Sequence, residues 1–344
     1  EEVWRRDWRA PASVPFFALS HGSWVRSTPA YDGETLFVGD MLEVLVALDG
    51  ETGYERWRID FPAEFSVGRP PFGFASSPLV TGSHLYVQAA NALVKVEKKT
   101  GRIVWRSADS GNTMASGGAF SSPIIAELHG VEQVVVFTRA ALMGVDVDSG
   151  RVLWSQPVPN FRGMNIVTPV VHDNGIFVSQ HRNGSYYYKT VRESEAGRFR
   201  VEPVWRNKGS GYMSSPIVIG GFAYLQLGNG RFSCVDLASG DERWRTKPLG
   251  EYWSLLWQGD RILALAEDGT LRLIQADPDR FELIDEREVA AATTWGHLAM
   301  AGDQLFVREL EALSVFRFPA PIEDLVVARG PSDHGPQLFL ARRR

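Results

Sequence analysis

The sequence predicts an all-β fold, a seven-bladed β-propeller of four-stranded antiparallel blades closed by its N-terminal strand. Three observations predict it. A hairpin motif recurs along the chain, a hydroxyl residue before proline recurs between its copies, and short alternating apolar runs fill the intervals. Self-similarity with a period of about 20–50 residues is the mark of solenoids and propellers.

The hairpin motif reads Asp/Glu-x-x-Thr/Ser-Gly-x-x-x-Trp and occurs at Asp49 to Trp57, Glu97 to Trp105, Asp146 to Trp154 and Asp236 to Trp244. An alternating strand ends at the acid, the hydroxyl-glycine pair turns the chain because glycine tolerates positive φ, and a second strand follows. Trp205 ends a stretched copy that starts near Arg192 and carries a polar tip at 193–197.

The second landmark stands at Thr28-Pro29, Ser77-Pro78, Ser122-Pro123, Thr168-Pro169 and Ser215-Pro216, at near-regular spacing. Proline at the first residue of a strand costs no ladder bond, so each pair opens a new sheet. Two further units lack the proline: one begins at Trp253-Ser254, the other at Trp295-Gly296, and they bring the total to seven. The sixth has Leu283 where tryptophan is expected, and the seventh reaches only three strands before Pro319 and Pro321. Its fourth strand is expected from Val3 to Ala10, with Trp8 in the tryptophan position because an arginine follows it, as after Trp57 and Trp244. Such closure leaves no free sheet edge. The propeller is therefore assigned to 1–318, and 319–344 to a C-terminal tail in which Leu325 to Val327 and Leu338 to Leu340 are each long enough for a short strand.

Trp8, Trp57, Trp105, Trp154, Trp205 and Trp244 are expected to pack between blades, since each ends the same step of the repeat. Burying one tryptophan removes about 150–250 Å² from water, roughly 4–6 kcal/mol before entropy.

Composition narrows the function. The 344 residues are 44% hydrophobic, include 11 tryptophans and carry a formal net charge of -5. That suits a large aromatic core and, without a basic run, excludes nucleic acid as the expected partner. The single Cys234 rules out an intrachain disulfide and reads as a small buried hydrophobe. Apolar runs such as Val134 to Phe137 fall far short of the roughly 18 residues of a membrane span, so no transmembrane segment is expected. The opening Glu-Glu-Val-Trp-Arg-Arg lacks the regions of a secretory signal. The chain is either cytoplasmic or exported with its signal removed, and a monomer is expected.

The copies Leu-Val-Ala-Leu-Asp-Gly-Glu-Thr-Gly-Tyr-Glu-Arg-Trp, ending at Trp57, and Cys-Val-Asp-Leu-Ala-Ser-Gly-Asp-Glu-Arg-Trp, ending at Trp244, resemble the pyrroloquinoline-quinone (PQQ)-type repeat of quinoprotein-like propellers. The resemblance covers about 1 to 318 and is specific for fold rather than activity. One branch is the lipoprotein scaffold of the outer-membrane β-barrel assembly machine. Similarity to it implies a non-catalytic binding scaffold of the bacterial envelope, periplasmic or outer-membrane associated, with a protein, peptide or glycan partner and no cofactor. The alternative branch, the quinoprotein alcohol dehydrogenases, implies a PQQ-dependent oxidoreductase with calcium, a catalytic aspartate and a vicinal disulfide. One cysteine departs from that pattern, and both branches usually have eight blades.

In such propellers the linkers before each landmark and the second-to-third-strand turns share the face that rims a channel. The linkers place there His21, Trp24, Arg26, Arg69, Phe74, Arg162, Asn165, Tyr212, Trp253, Trp295 and His297, beside Phe72, Phe120 and Tyr252. The turns add Arg139, His181 and Arg308, together with Asp40, Gln88 and Glu267. Aromatics mixed with directional donors are what a ligand surface uses. The plainer reading is that the aromatics plug the top of the ring. No catalytic residue is assigned, although His21 or His297 offers a general base for a third reading, a polysaccharide-active enzyme. No metal site is expected either: the histidines are scattered, and Asp277-Pro278-Asp279 reads as a turn.

Overall fold

The protein is a seven-bladed β-propeller. Its computed structural model describes residues 2–11, 25–111, 113, 116–193 and 198–318. The tail at 319–344 and the predicted site residues His21 and Trp24 lie outside the described residues.

Each blade is an antiparallel meander in chain order. Blade 1 comprises Ala30–Tyr31, Thr35–Gly39, Val44–Asp49 and Glu55–Asp60, blade 2 comprises Leu79–Thr81, His84–Ala89, Ala92–Glu97 and Ile103–Ser107, and blade 3 comprises Ile124–Leu128, Val131–Phe137, Ala141–Asp146 and Val152–Pro157. Blade 4 has Val170–His172, Gly175–Gln180 and two long strands, Gly184–Glu193 and Arg198–Asn207. Blade 5 has Ile217–Ile219, Phe222–Gln226, Phe232–Asp236 and Glu242–Arg245, and blade 6 has Ser254–Gln258, Arg261–Leu265, Thr270–Gln275 and Glu282–Glu288. Blade 7 has three described strands, Ala299–Ala301, Gln304–Arg308 and Leu313–Arg317. One five-residue helix, Phe61–Phe65, follows blade 1; the Asp60 carboxylate caps it by accepting from the Ala63 amide at 3.1 Å.

The chain forms two compact units, one built on blades 1 to 3 and one on blades 4 to 7. Arg192 and Phe199, toward the end of the long blade 4 hairpin, group with the first: Arg192 Nη1 donates to the His129 carbonyl at 3.1 Å, and the Phe199 ring lies 6.1 Å from His129.

Within each unit the core is laid down between neighbouring blades. Phe37, Leu45, Phe61, Phe74, Leu85 and Val87 share one cluster between blades 1 and 2, while Phe177, Ala223, Leu225 and Val235 share one between blades 4 and 5. The repeat motif explains this spacing. The Asp49 carboxylate accepts the Glu51 and Thr52 amides and the Thr52 hydroxyl, which closes a turn in which Gly53 sits at φ 66. Above the equivalent Gly101 lies Trp57, so near that an added Cβ would come within 2.8 Å of its ring. Its indole donates to the Lys98 carbonyl at 2.9 Å. Trp205 repeats the contact over Gly240, with its indole on the Leu237 carbonyl at 2.8 Å. Trp105 sits over Gly150 with its indole nitrogen buried and unpaired. Trp154 differs, donating to Gln133 of its own sheet at 2.7 Å.

The landmarks are also joined. The Thr28 amide donates to Ser77 Oγ at 2.9 Å, Ser77 to Ser122 at 3.0 Å and Thr168 to Ser215 at 3.1 Å. The hydroxyl before proline thus accepts from the preceding blade.

Three expectations are revised. Residues 2–11 carry no strand, and the described blade 7 stops at three, so the expected N-terminal closing strand is not among the described ladders. The N-terminal segment packs on blade 1 instead. Trp4, and not Trp8, takes the seat over a turn glycine, Gly53, with its indole on the Gly50 carbonyl at 3.0 Å, and Trp8 donates to Asp40 at 3.2 Å. The repeat calls for one tryptophan per turn, but without a strand the arginine after Trp8 does not decide which tryptophan takes the seat. In blade 6 the residue in tryptophan's register is Asp285, opposite Leu273, and Leu283 pairs with Ile274. A longer turn, from Gln275 to Glu282, displaced the count. Opposite Trp244, the ring of Phe281 closes the contact at 5.7 Å.

Candidate functional site

The loops before the landmarks divide by unit. In the first, the side chains expected at a ligand surface are consumed by structure. Arg139 is 2% exposed and donates Nε to the Gly163 carbonyl, Nη1 to Gly117 and Nη2 to Arg162 at 3.1, 2.7 and 3.2 Å. Its guanidinium lies 5.5 Å from the Phe72 ring and 4.9 Å from Phe120, and burial lowers its pKa. Asn165 is fully buried and donates to the Thr138 carbonyl, and Phe74 is core against Phe61. Arg69 is exposed but held by Asp60 at 2.8 Å and by the Leu42 carbonyl. Arg162 folds back over Phe161, 5.3 Å from its ring, and Arg26 is half-buried. For Arg139, Asn165 and Phe74 the ligand-binding expectation gives way to a structural place, because each saturates its polar groups or its surface inside the protein.

In the second unit the equivalent positions carry aromatic rings that meet one another. His181, at the second-to-third turn of blade 4, meets Tyr212 at 4.2 Å with the rings tilted by 35°; Tyr212 meets Tyr252 at 5.7 Å, and Tyr252 meets Trp295 at 5.8 Å. Each step crosses from one blade to the next, so four rings form one ladder along loops of blades 4 to 7. Trp295 is 40% exposed, and the other three are half-buried. The Trp295 indole donates to Glu267 Oε2 at 3.0 Å. Burial, aided by the neighbouring Arg182 charge, pushes the His181 pKa down, so this ring enters the ladder as a neutral imidazole at pH 7. Burial pushes the Tyr252 phenol up to about 12, with Tyr212, Glu251 and Glu267 adding to the shift. The phenol stays protonated and able to donate.

The remaining expected residues sit apart from the ladder. Trp253 is 2% exposed, stacked on Phe232 at 4.9 Å and covered by the Arg272 guanidinium at 5.2 Å, so it belongs to the core between blades 5 and 6. His297 Nδ1 lies 3.4 Å from Ser254 Oγ, and Arg308 donates to the Ala312 carbonyl at 3.2 Å.

Sequence reasoning missed Glu43. Its carboxylate is 1% exposed and accepts the Ala90 amide at 2.9 Å; burial pushes its pKa up to about 7, against the pull of that amide and of Arg69. A charged residue inside the apolar run Met41 to Leu48 was the available signal. Glu251, the neighbour of Tyr252, was also passed over, because nothing in its sequence context separates it from an ordinary surface acid.

Chemically, the ladder offers aromatic faces, a neutral imidazole and carboxylates, which suits recognition. Among the described residues no three His, Cys, Asp or Glu side chains group so as to hold a metal ion.

Repeated meanders with indoles seated over turn glycines define a β-propeller of the PQQ-like repeat class. The family model described as outer membrane protein assembly factor BamB matches residues 1–246, and the chain belongs to that family. It is 24% identical over 269 residues to the BamB of Yersinia pestis, covering 71% of this chain and 64% of that protein. To the BamB of Moranella endobia it is 25% identical over 293 residues, covering 79% and 67%. The chain thus spans about two thirds of the length of these relatives. Among solved structures it is similar to BamB from Moraxella catarrhalis, with a TM-score of 0.64, 15% identity, and coverage of 86% of this chain and 85% of that one. A quinohemoprotein alcohol dehydrogenase from Pseudomonas putida has a TM-score of 0.57 at 12% identity, covering 85% of this chain and 64% of that one. At such identities the structural likeness speaks for the fold alone. No helix among the described residues is long and apolar enough to cross a membrane.

Proposed function

We propose that this chain is a non-catalytic scaffold in outer-membrane protein assembly, held on the periplasmic side of the envelope, and that it docks a protein or peptide segment along the ladder His181–Tyr212–Tyr252–Trp295. The observation that carries the reading is the ladder itself. Four polar-tipped aromatic rings touch in series at loop positions of four successive blades, whereas the matching loops of the first unit are closed by Arg139. Aromatics of this kind give large contact area at small entropic cost, and they dominate the energetics of protein interfaces. Family membership supports the assembly role.

Deleting the gene in its host tests the role: the level of folded outer-membrane β-barrel proteins is expected to fall and to be restored by the wild-type chain but not by the Tyr212→Ala/Trp295→Ala double variant. Unchanged levels after deletion overturn the assembly role, and full restoration by the double variant removes the ladder from it. The scaffold is proposed to work without a cofactor. Reconstitution with PQQ and calcium checks this, and retention of the quinone together with dye reduction would replace the scaffold by an oxidoreductase.

A further inference from the structure

We propose that the blade 6 and 7 end of the ladder is a receptor for a cationic side chain, an arginine or lysine carried on an extended segment of the partner. The inference rests on the scaffold reading and names the chemistry that one end of its surface selects. Tyr252 and Trp295 stand nearly at right angles, 76° between ring planes with centroids 5.8 Å apart, and Tyr212 adds a third ring 5.7 Å from Tyr252 at 49°. Three rings at steep mutual angles make a corner, not a flat platform. A flat platform suits a sugar ring; a corner of π faces suits a compact cation.

The charge beside the corner has the matching sign. Glu251 adjoins Tyr252, and Glu267 holds the Trp295 indole through one oxygen, leaving the other for a ligand. The backbone ties the two together, because the Glu267 amide donates to the Glu251 carbonyl at 3.1 Å. Both carboxylates act on the Tyr252 phenol. Neither forms an ion pair with a described residue, although most of the surface acids in this unit's hairpins do, as Glu242 with Arg245 and Glu282 with Arg280. The loop cation on blade 7, Arg308, is turned to the Ala312 carbonyl, and Arg182, whose charge acts on His181 and on the Tyr212 phenol, forms no ion pair with Glu251 or Glu267. A guanidinium from outside would therefore meet aromatic faces and two uncompensated carboxylates at once.

The test titrates the full chain with acetyl-(Gly-Arg)4-amide and acetyl-(Gly-Glu)4-amide, following the Trp295 indole by NMR and the heat by calorimetry. The arginine peptide is expected to bind and to shift the Trp295 signal, with affinity falling about tenfold in Glu251→Gln/Glu267→Gln and in Trp295→Ala. Glutamine at 267 keeps an acceptor for the indole, so the double variant preserves the corner while removing its charge. Equal binding of the glutamate peptide, absence of binding, or an arginine affinity unchanged in these variants overturns the proposal. A general attraction to the net negative protein is thereby separated from a site, since it would survive the loss of two charges. If selectivity is absent while the Tyr212→Ala/Trp295→Ala double variant fails to restore assembly in the host, the cation assignment falls and the scaffold reading stands.

Discussion

The two units use the same loop position in opposite ways. Before the landmarks of blades 2 to 4, Phe72 and Phe120 and the turn residue Arg139 pull three loops together, with the guanidinium donating to three backbone carbonyls. On blades 5 to 7, Tyr212, Tyr252 and Trp295 meet through their ring edges and faces, the Trp295 indole donates to Glu267, and no hydrogen bond joins the two phenols to a described residue. An arginine that can reach carbonyls converts an aromatic loop cluster into core; in the second unit the rings are joined by ring contacts instead. Residue type at a loop is therefore a poor guide to binding until the partners of the neighbouring cations are known.

The comparison can be broken or sharpened in order of effect. The largest loss is expected from Trp105→Ala, about 4 kcal/mol in a urea titration, because the indole fills a seat over Gly150 that smaller side chains leave as a cavity. A loss below about 1 kcal/mol would mean that the seats are not what holds neighbouring blades together.

Next comes a pH effect in the first unit. Glu43 has a folded pKa raised from 4.5 to about 7, so on raising the pH the unfolded chain releases the proton first. Stability is then full below the ordinary carboxylate value, declines from there to about 7 and stays low above, a difference of about 3 kcal/mol. Glu43→Gln, which can still accept the Ala90 amide, should flatten the dependence of the urea midpoint between pH 5 and 8. A wild-type midpoint equal at both values would show that the carboxylate is hydrated.

Arg139→Lys is expected to cost about 2 kcal/mol, since an ammonium cannot reach three carbonyls set for a planar fork and leaves some buried and unpaired. A neutral outcome would place Arg139 back among surface residues. The smallest stability effects belong to Tyr212→Ala and Trp295→Ala, each under about 1 kcal/mol on the grounds that exposed or half-exposed contacts contribute little. Larger losses would make the ladder a packing device.

Much of the fold was legible because its signals are local. Acid, hydroxyl, glycine and tryptophan close one hairpin whatever surrounds it, which is why the third-to-fourth-strand hairpins of blades 1, 2, 3 and 5 could be placed to the residue. Where that local code lapsed, counting failed: the longer turn of blade 6 moved the register from Leu283 to Asp285, and the N-terminal segment, free of a ladder, seated Trp4. The site was legible only as a list. His181, Tyr212 and Trp295 were on it, but so were Arg139, Phe74 and Trp253, which lie in the core.

The amino-acid order by itself determined the seven repeats, the pairing of the hairpins that carry the motif and the seats of Trp57, Trp105 and Trp205, because turn chemistry and period-two alternation act over a few residues. Which loop side chains are spent inside and which face outward was decided only in the folded chain. Residues such as Arg139 and Gly163, or Tyr252 and Trp295, lie far apart in sequence, and their distance in space is a property of stacked blades that no local pattern encodes.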